Sequence, residues 1–516
     1  MKKSSPNSTT PENSKHNMNR RKFIGGVSAA SMGLTVVPAH VLGGPGKIAP
    51  SDKLNVAYIG LGTQGLRQLP ALLKIPGVQV TAVCDPQRKA IDYYDWGPTS
   101  LRKQMRELIG NPNWETGGNN TIPGGLDNGK ELVEGYYSHI NYKKYKGCRA
   151  YPDFRALFEK EDLDAVQVMA TDHAHGVIAS AALKRNISVV MHKPIANRLL
   201  EGRHVVDLAK KSEATTYLLA WESNGNMDQI MEWINGGEIG ELKEVHNWSH
   251  RPVWPQYAKI PERAKLPEGF DWDLWLGPEA DRPYSPHYTN MVFRGWYDFG
   301  GGSMADMGHY SLWTVFNALK LDKPTIIEPN FSKVCDMKED GTAFKIHNDY
   351  SFPFASTVRF KYPAIEGRPA VDLVWYDGGM RPPTPKEFYD SGKEFPSEGM
   401  MFVGDQGTIM TSGFLVEDPY LLSGSVKEVE EVSAAAGNTE MPGVEQFIHG
   451  VRSGKQIPGS FREAWPITEA VNLYAAALRA NKTLFYDGDG MKITNDKNAN
   501  KYLTREYRPG WRLEDM

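Results

Sequence analysis

Asn55–Asp85 reads NVAYIGLGTQGLRQLPALLKIPGVQVTAVCD. A short apolar run, Val56–Ile59, enters Gly60-Leu61-Gly62-Thr63-Gln64-Gly65, a helical segment follows, and a β-rich run, Val78–Cys84, ends on Asp85. This is a βαβ unit with GxGxxG in its first turn and an acid 20 positions past the last glycine (85 − 65). Gly60 permits the tight turn, Gly62 admits a pyrophosphate against the backbone, and Gly65 lets helix and strand pack closely. Thr63 and Gln64 complete the turn. Unpaired N–H groups at the helix N-terminus favour phosphate, and Asp85 is placed to accept bonds from adenosine ribose hydroxyls. The pattern predicts a bound dinucleotide. Pro70 removes a helical hydrogen bond and predicts a kinked or shortened helix.

A chain of 516 residues exceeds what one hydrophobic core usually serves, so two domains are expected. A charge of −3 gives no electrostatic case for nucleic acid or an anionic membrane. The tryptophans and tyrosines gather after residue 220, which suits either sugar stacking or buried packing. Near the start, Asn19-Arg20-Arg21-Lys22-Phe23-Ile24 opens a weakly apolar run, Gly25–Val37, closed by Pro38-Ala39-His40. Paired arginines before a modest apolar stretch resemble a twin-arginine export signal. The run is too short and too rich in Gly and Ser to span a bilayer, and no cysteine follows it to take a lipid anchor. Periplasmic localisation by the twin-arginine route follows as an expectation. Cys84, Cys148 and Cys335 have no metal-site spacing.

Beyond Asp85, residues 96–149 form an insertion too long for an ordinary βα connection. The alternation then resumes: helix Asp153–Lys160, strand Ala165–Ala170, helix His175–Arg185, strand Ser188–Met191, helix Arg198–Ser212, strand Thr216–Ala220. This predicts a doubly wound parallel sheet, the Rossmann arrangement, over residues 51–224, following a signal and linker at 1–50. Ligands bind beyond the carboxyl ends of such strands, so Thr171–His175, His192–Pro194 and Trp221–Asn224 face the site. Residues 225–465 read as an α/β domain with an open, mostly antiparallel sheet, from the runs Glu241–Arg251, Ser356–Tyr362, Ala370–Tyr376 and Met400–Met410. One helix, Met304–Leu319, interrupts them. Residues 466–516 form a helix, Ile467–Asn481, and a tail packing back on the first domain.

Met191-His192-Lys193-Pro194 closes a strand. A lysine there projects over a nicotinamide, and desolvation beside that cation lowers its pKa toward general acid/base work. With this segment placed, the chain resembles the Gfo/Idh/MocA oxidoreductases, in particular their exported bacterial branch. The resemblance rests on GLGTQG with Asp85, the Asp153–Lys160 helix before Asp164-Ala165-Val166, Thr171-Asp172-His173-Ala174-His175, and Lys193-Pro194. It extends to Arg294-Gly295-Trp296, Gly300-Gly301-Gly302, Asp306-Met307-Gly308-His309 and the closing Arg505-Glu506-Tyr507-Arg508-Pro509-Gly510-Trp511. It implies a Rossmann domain joined to an open-sheet α/β domain, NAD(P) as cofactor, sugars or cyclitols as substrates, and a homo-oligomer, dimer or tetramer.

The sequence departs from the family in two places. Family members usually read Glu-Lys-Pro, where this chain has His192, which predicts added pH sensitivity near neutrality. The family's second catalytic element is an Asp followed four residues later by His, whereas Asp306 is followed by His309 at +3 and Tyr310 at +4. Both offsets fall on one helical face. His309 is the expected proton-transfer partner of Lys193, with Tyr310 the alternative and Asp306 orienting. Thr171 and His175 are assigned to the cofactor; Glu222, Arg294 and Trp296 to the substrate. Asp172, His173 and His175 crowd too closely for tetrahedral metal ligation and read as a cofactor-lining turn. Asp85 favours NAD, while Arg88 leaves NADP open.

The expected activity is hydride transfer between a sugar or glycoside hydroxyl and tightly held nicotinamide. A glycosidase working by transient oxidation, elimination and reduction is the first rival, with His175, Glu222 and Tyr310 as bases. A non-catalytic sugar-binding protein is the second.

Overall fold

The computed structural model describes residues 52–94, 100–115, 121–141, 143–219, 226–256, 259–411, 413, 415–422 and 442–516, without the side chains of 91, 92 and 442. The twin-arginine stretch, Trp221–Asn224 with Glu222, and parts of the 96–149 insertion lie outside the described residues.

Strand β1 (Leu54–Ile59) is almost wholly buried, as its continuous apolar reading requires. The helix Thr63–Leu73 follows it, with Pro70 in its last turn. Next come β2 (Val78–Cys84), then β3 (Ala90–Tyr94) and β4 (Thr121–Gly124), an antiparallel hairpin standing apart from the main sheet. Strands β5 (Arg149–Tyr151), β6 (Ala165–Val168), β7 (Ser188–Met191) and β8 (Thr216–Leu218) complete the sheet in the order β5-β2-β1-β6-β7-β8. Every pair is parallel. The order reverses between β1 and β6, the switch point where such sheets bind ligands. The intervening helices are Phe154–Lys160, Asp172–Leu183 and Leu199–Lys211, with Asp153 capping the first through Arg155 N–H. The second of them begins three residues before the expected His175.

The second sheet contains β9 (Leu242–Trp248), β10 (Ile326–Phe331), β13 (Ser356–Tyr362), β14 (Val371–Asp377), β15 (Gly399–Gly404), β16 (Thr408–Met410), β17 (Tyr420–Leu421), β18 (Leu484–Asp487) and β19 (Lys492–Ile493). Its order is β17-β16-β15-β9-β14-β13-β10-β18-β19, while β11 (Cys335–Met337) and β12 (Ala343–Lys345) form a separate hairpin. Only β9 and β14 run parallel within it. The run Met400–Met410 is two strands, because Asp405-Gln406-Gly407 turns back: Gly404 N–H donates to Gly407 O. Helices Met227–Gly236 and Pro442–Ser453 add to the one helix expected between residues 225 and 465.

One hydrophobic core runs through both sheets. The helix Trp465–Ala480 serves both sides: Tyr474 Oη donates to Asp377 on β14, and Asn472 Nδ2 donates to Ala196 O beside the first sheet. Gly202 allows that approach, since a Cβ there would lie 2.9 Å from the Trp465 ring. Among the described residues no helix is long and apolar enough to cross a membrane.

Candidate active site

The glycine turn has little tolerance for side chains. Gly60 holds φ +94°, and a Cβ on it would fall 2.5 Å from the Met169 carbonyl; one on Gly65 would fall 2.1 Å from Gly60 O. The helix that follows has Gly62 at its N-cap and no side-chain cap, so its leading N–H groups are unspent on side chains. Asp85 Oδ2 accepts from Leu61 N–H at 2.8 Å and Oδ1 from Gln87 N–H at 2.9 Å. Burial pushes the Asp85 carboxyl up to about 6 against those two bonds.

A cleft with about 1300 Å³ of empty space, counting the part open to solvent, runs along this turn. Gly60, Gly62, Thr63, Gln64, Gly65, Asp85 and Thr171 all line it, as do His192 and Arg294. Glycines where only glycine fits, an uncapped helix N-terminus and a buried acid at the end of β2 suit a dinucleotide. The outer wall comes from residues to which the sequence reading gave no cofactor role. Tyr93 of the inserted hairpin lies over Gly62, its ring 3.1 Å from where a Cβ would be. Phe154, Phe270, Trp275 and Trp511 also face the cleft. The closing Arg-Glu-Tyr-Arg-Pro-Gly-Trp run was the available signal for Trp511.

Lys193 follows β7 and is only 1% exposed. Its Nζ donates to Asp306 O and, at 3.0 Å, to Asp306 Oδ1. Arg294 Nε lies 3.3 Å from the same Asp306 Oδ1, while Arg294 Nη1 reaches Asp172 Oδ1 at 3.4 Å. Asp172 also accepts from Gly301 N–H at 3.1 Å, which ties the triple-glycine segment to the first helical turn beyond β6. Burial lowers the Lys193 ammonium to about 8, with Asp306 opposing and Arg294 adding to the drop. Burial works against ionised Asp306, yet Lys193, Arg294 and Arg251 hold its carboxyl well below the usual range.

Tyr310, not His309, joins this group. Tyr310 Oη is 2.8 Å from His192 Nε2, and Lys193 Nζ lies 4.9 Å from the Tyr310 ring centroid. His309 points the other way: its Nδ1 is 3.1 Å from Ala305 O and its Nε2 3.4 Å from Thr468 Oγ1. The reason is local. Met304–Gly308 is a wide i→i+5 turn, and the α-helix proper begins only at His309. Widening carries +4 onto the face of Asp306 and turns +3 into the core. The expectation that +3 and +4 share that face assumed a regular helix.

Three more assignments shift. His192 does not titrate near neutrality, because burial and then Lys193 and Arg294 push it well below the usual imidazole value. His175 is buried with Nδ1 2.6 Å from Pro194 O and Nε2 3.0 Å from Ala170 O, so it braces the two loops. Trp296 is core: its Nε1 donates to His287 O and its ring packs edge-on to Tyr288.

Two segments match domain models of one family. Residues 131–219 match "Oxidoreductase family, NAD-binding Rossmann fold", and residues 234–343 match "Oxidoreductase family, C-terminal alpha/beta domain", both of Gfo/Idh/MocA. The chain is similar, over these two segments, to both domains of the Gfo/Idh/MocA oxidoreductases. Its cofactor domain is therefore the NAD-binding Rossmann fold. A glycosyl hydrolase family 109 protein of Shewanella sp. (strain W3-18-1) is 22% identical over 243 residues, 44% of this chain and 45% of that protein. Inositol 2-dehydrogenase of Salmonella paratyphi B is 24% identical over 152 residues, 28% of this chain and 45% of that enzyme. The chain thus aligns with less than half the length of these curated relatives. Among solved structures, the WlbA dehydrogenase of Chromobacterium violaceum, in complex with NADH and UDP-GlcNAcA, shares the fold at TM-score 0.50 and 13% identity, over 84% of this chain and 96% of that one.

Proposed function

We propose that this protein is an exported NAD-dependent oxidoreductase acting on a sugar or glycoside hydroxyl. The observation that carries the reading is the Lys193–Asp306–Arg294 group, with His192 and Tyr310, at the strand ends beside the glycine-turn cleft. When bound, NAD supplies a hydride acceptor. The chain's residues handle the proton and the placement: Lys193 takes the hydroxyl proton at Nζ, and Tyr310 Oη holds the same hydroxyl and is backed by neutral His192. Asp306 keeps Lys193 aimed, and Arg294 keeps Asp306 ionised. Positioned proton transfer of this kind contributes about 10²–10⁴-fold.

The test is mass spectrometry of nucleotide released from pure protein, followed by a sugar and glycoside panel scored for keto products. Lys193→Ala is expected to lose turnover while keeping nucleotide. Unchanged turnover in Lys193→Ala would remove Lys193 from the chemistry, whereas wild-type protein that binds but turns over no member of the panel would leave a sugar-binding protein. Export rests on the Arg20-Arg21 motif; replacing both with lysine is expected to leave the protein in the cytoplasmic fraction. Assembly through the open sheet as a dimer or tetramer is checked by sedimentation.

Similarity to family 109 glycosyl hydrolases favours a second reading, cleavage by transient oxidation and elimination. Of its candidate bases, His175 spends both ring nitrogens near backbone carbonyls, which leaves Tyr310 among the described residues. Aglycone release from an aryl glycoside without net redox change, with solvent deuterium entering beside the oxidised carbon, selects this reading.

A further inference from the structure

Two segments distant in sequence roof the Asp85 end of the cleft, and both meet at Gln87-Arg88. On one side Leu126 N–H donates to Gln87 O and Asp127 N–H to Arg88 O, both at 2.9 Å. On the other, Arg88 N–H donates to Gly269 O and Asp271 N–H to Pro86 O, also at 2.9 Å, with Gln87 and Phe270 bridged antiparallel. The second roof continues into the helix Trp272–Leu276, whose Trp275 faces the cleft.

That roof is held from outside by the C-terminal tail. Arg508 Nε donates to Gly277 O at 2.9 Å, and its Nη2 donates to Asp273 O at 2.6 Å. Trp511 packs against Gly277, where a Cβ would sit 3.6 Å from its ring. The other face of Trp511 carries Arg155, 4.1 Å from the ring, and Phe154, 5.9 Å centroid to centroid. Phe154 lies three residues past Tyr151, whose carbonyl accepts from Asp85 N–H. Further along, Lys184 Nζ donates to Leu513 O at 2.6 Å and Arg155 Nη1 to Gly510 O at 3.2 Å. The tail therefore joins the roof on one side to the helices flanking β5 and β6 on the other.

We propose that residues 508–511 act as a buckle that fastens the 267–277 roof over the adenosine end of the cleft, so that bound dinucleotide leaves only when the tail lets go. The proposal rests on the dinucleotide reading of the cleft. It explains physically how an exported chain retains its cofactor: release requires breaking charge-assisted hydrogen bonds as well as the cofactor's own contacts. Trp511 contributes to the wall, while Arg508 acts through Gly277, Asp273 and the Trp511 ring, 5.8 Å away, which makes it a positioning residue.

The test uses the full chain loaded with NADH, chased with excess NAD, and followed by loss of NADH fluorescence. Nucleotide per protein is measured after gel filtration. Arg508→Ala is expected to release NADH about tenfold faster, from the loss of hydrogen bonds to a charged group, with a smaller change in association rate. Arg508→Lys falls between. A wild-type release rate in Arg508→Ala overturns the buckle. Should Arg508→Ala fail to fold, Arg508→Gln, which keeps part of the stem but removes the charged donors to Gly277 O and Asp273 O, is read instead: faster release supports the proposal and unchanged release overturns it. If the wild-type chain binds no NADH at millimolar concentration, the dinucleotide reading itself fails, a result distinct from tight binding that ignores Arg508.

Discussion

Lys193 is an ammonium in a buried site whose charge Asp306 favours and Arg294 opposes. Burial lowers it to about 8 and Asp306 resists the fall, so removing the Asp306 charge moves the lysine further down. Oxidation needs the neutral amine, and kcat/KM in that direction is expected to rise with pH through about 8. In Asp306→Asn the rising limb shifts to lower pH, which a kcat/KM profile reads directly; a limb that stays put means another group titrates. Tyr310→Phe is expected to cost about 10²-fold or more in kcat, whereas His309→Gln acts on stability through Ala305 and Thr468. At this scale the sequence was legible where a residue type has one physical use. Glycines at Gly60 and Gly65, and an acid at 85, are demanded by backbone crowding and by the strand end. His309 and Tyr310 were not separable, because one extra residue in a helical turn leaves no mark in composition.

Elements were legible where periodicity and burial agree. The apolar runs of β1, β6 and β7 and their intervening helices gave the parallel sheet, and Ser356–Tyr362 alternates cleanly between buried and half-buried positions. The breaks were harder. Asp405-Gln406-Gly407 is a turn inside an otherwise apolar stretch, and the β3–β4 hairpin is defined by what it covers. The helix Trp465–Ala480 holds a different device. Glu469 is buried, its Oε1 accepts from Tyr486 Oη at 2.5 Å, and its Oε2 has no hydrogen-bond partner among the described residues. Burial raises its carboxyl from 4.5 to about 7. A raised acid stabilises the fold below the unfolded value and loses that contribution as pH climbs through the folded one. Glu469→Gln swaps the unpartnered oxygen for an unpartnered amide, a cost independent of pH. The stability of the variant relative to wild type is therefore expected to improve by about 3 kcal/mol between pH 4.5 and pH 8. Denaturant melts at the two pH values check it, and a pH-independent difference would contradict the assignment.

Over the whole molecule, the two sheets are joined by buried charge as well as by a shared core. Arg505 is 3% exposed and contacts Glu201 at 2.9 Å, on the helix Leu199–Lys211, and Glu279 at 2.6 Å, beyond the 267–277 roof. Glu279 is also 3.3 Å from Arg198, which in turn reaches Asp298 at 3.2 Å. No local pattern in the sequence announces a network whose members lie 207 to 307 residues from Arg505 (505 − 298 and 505 − 198). It forms only once both sheets are in place. Removing the central cation strands buried Glu201 and leaves Glu279 to Arg198 alone, and uncompensated buried charge costs about 3–5 kcal/mol. Arg505→Ala is expected to lower stability by that amount while keeping a single unfolding transition, because the core and the helix Trp465–Ala480 still couple the sheets. Arg505→Met combined with Glu201→Gln and Glu279→Gln removes the stranded charges and is expected to recover most of the loss. Scanning calorimetry of both variants separates the outcomes. Two resolved transitions in Arg505→Ala would mean the network alone makes the domains one cooperative unit, and no recovery in the triple variant would mean that shape, not charge, holds the tail.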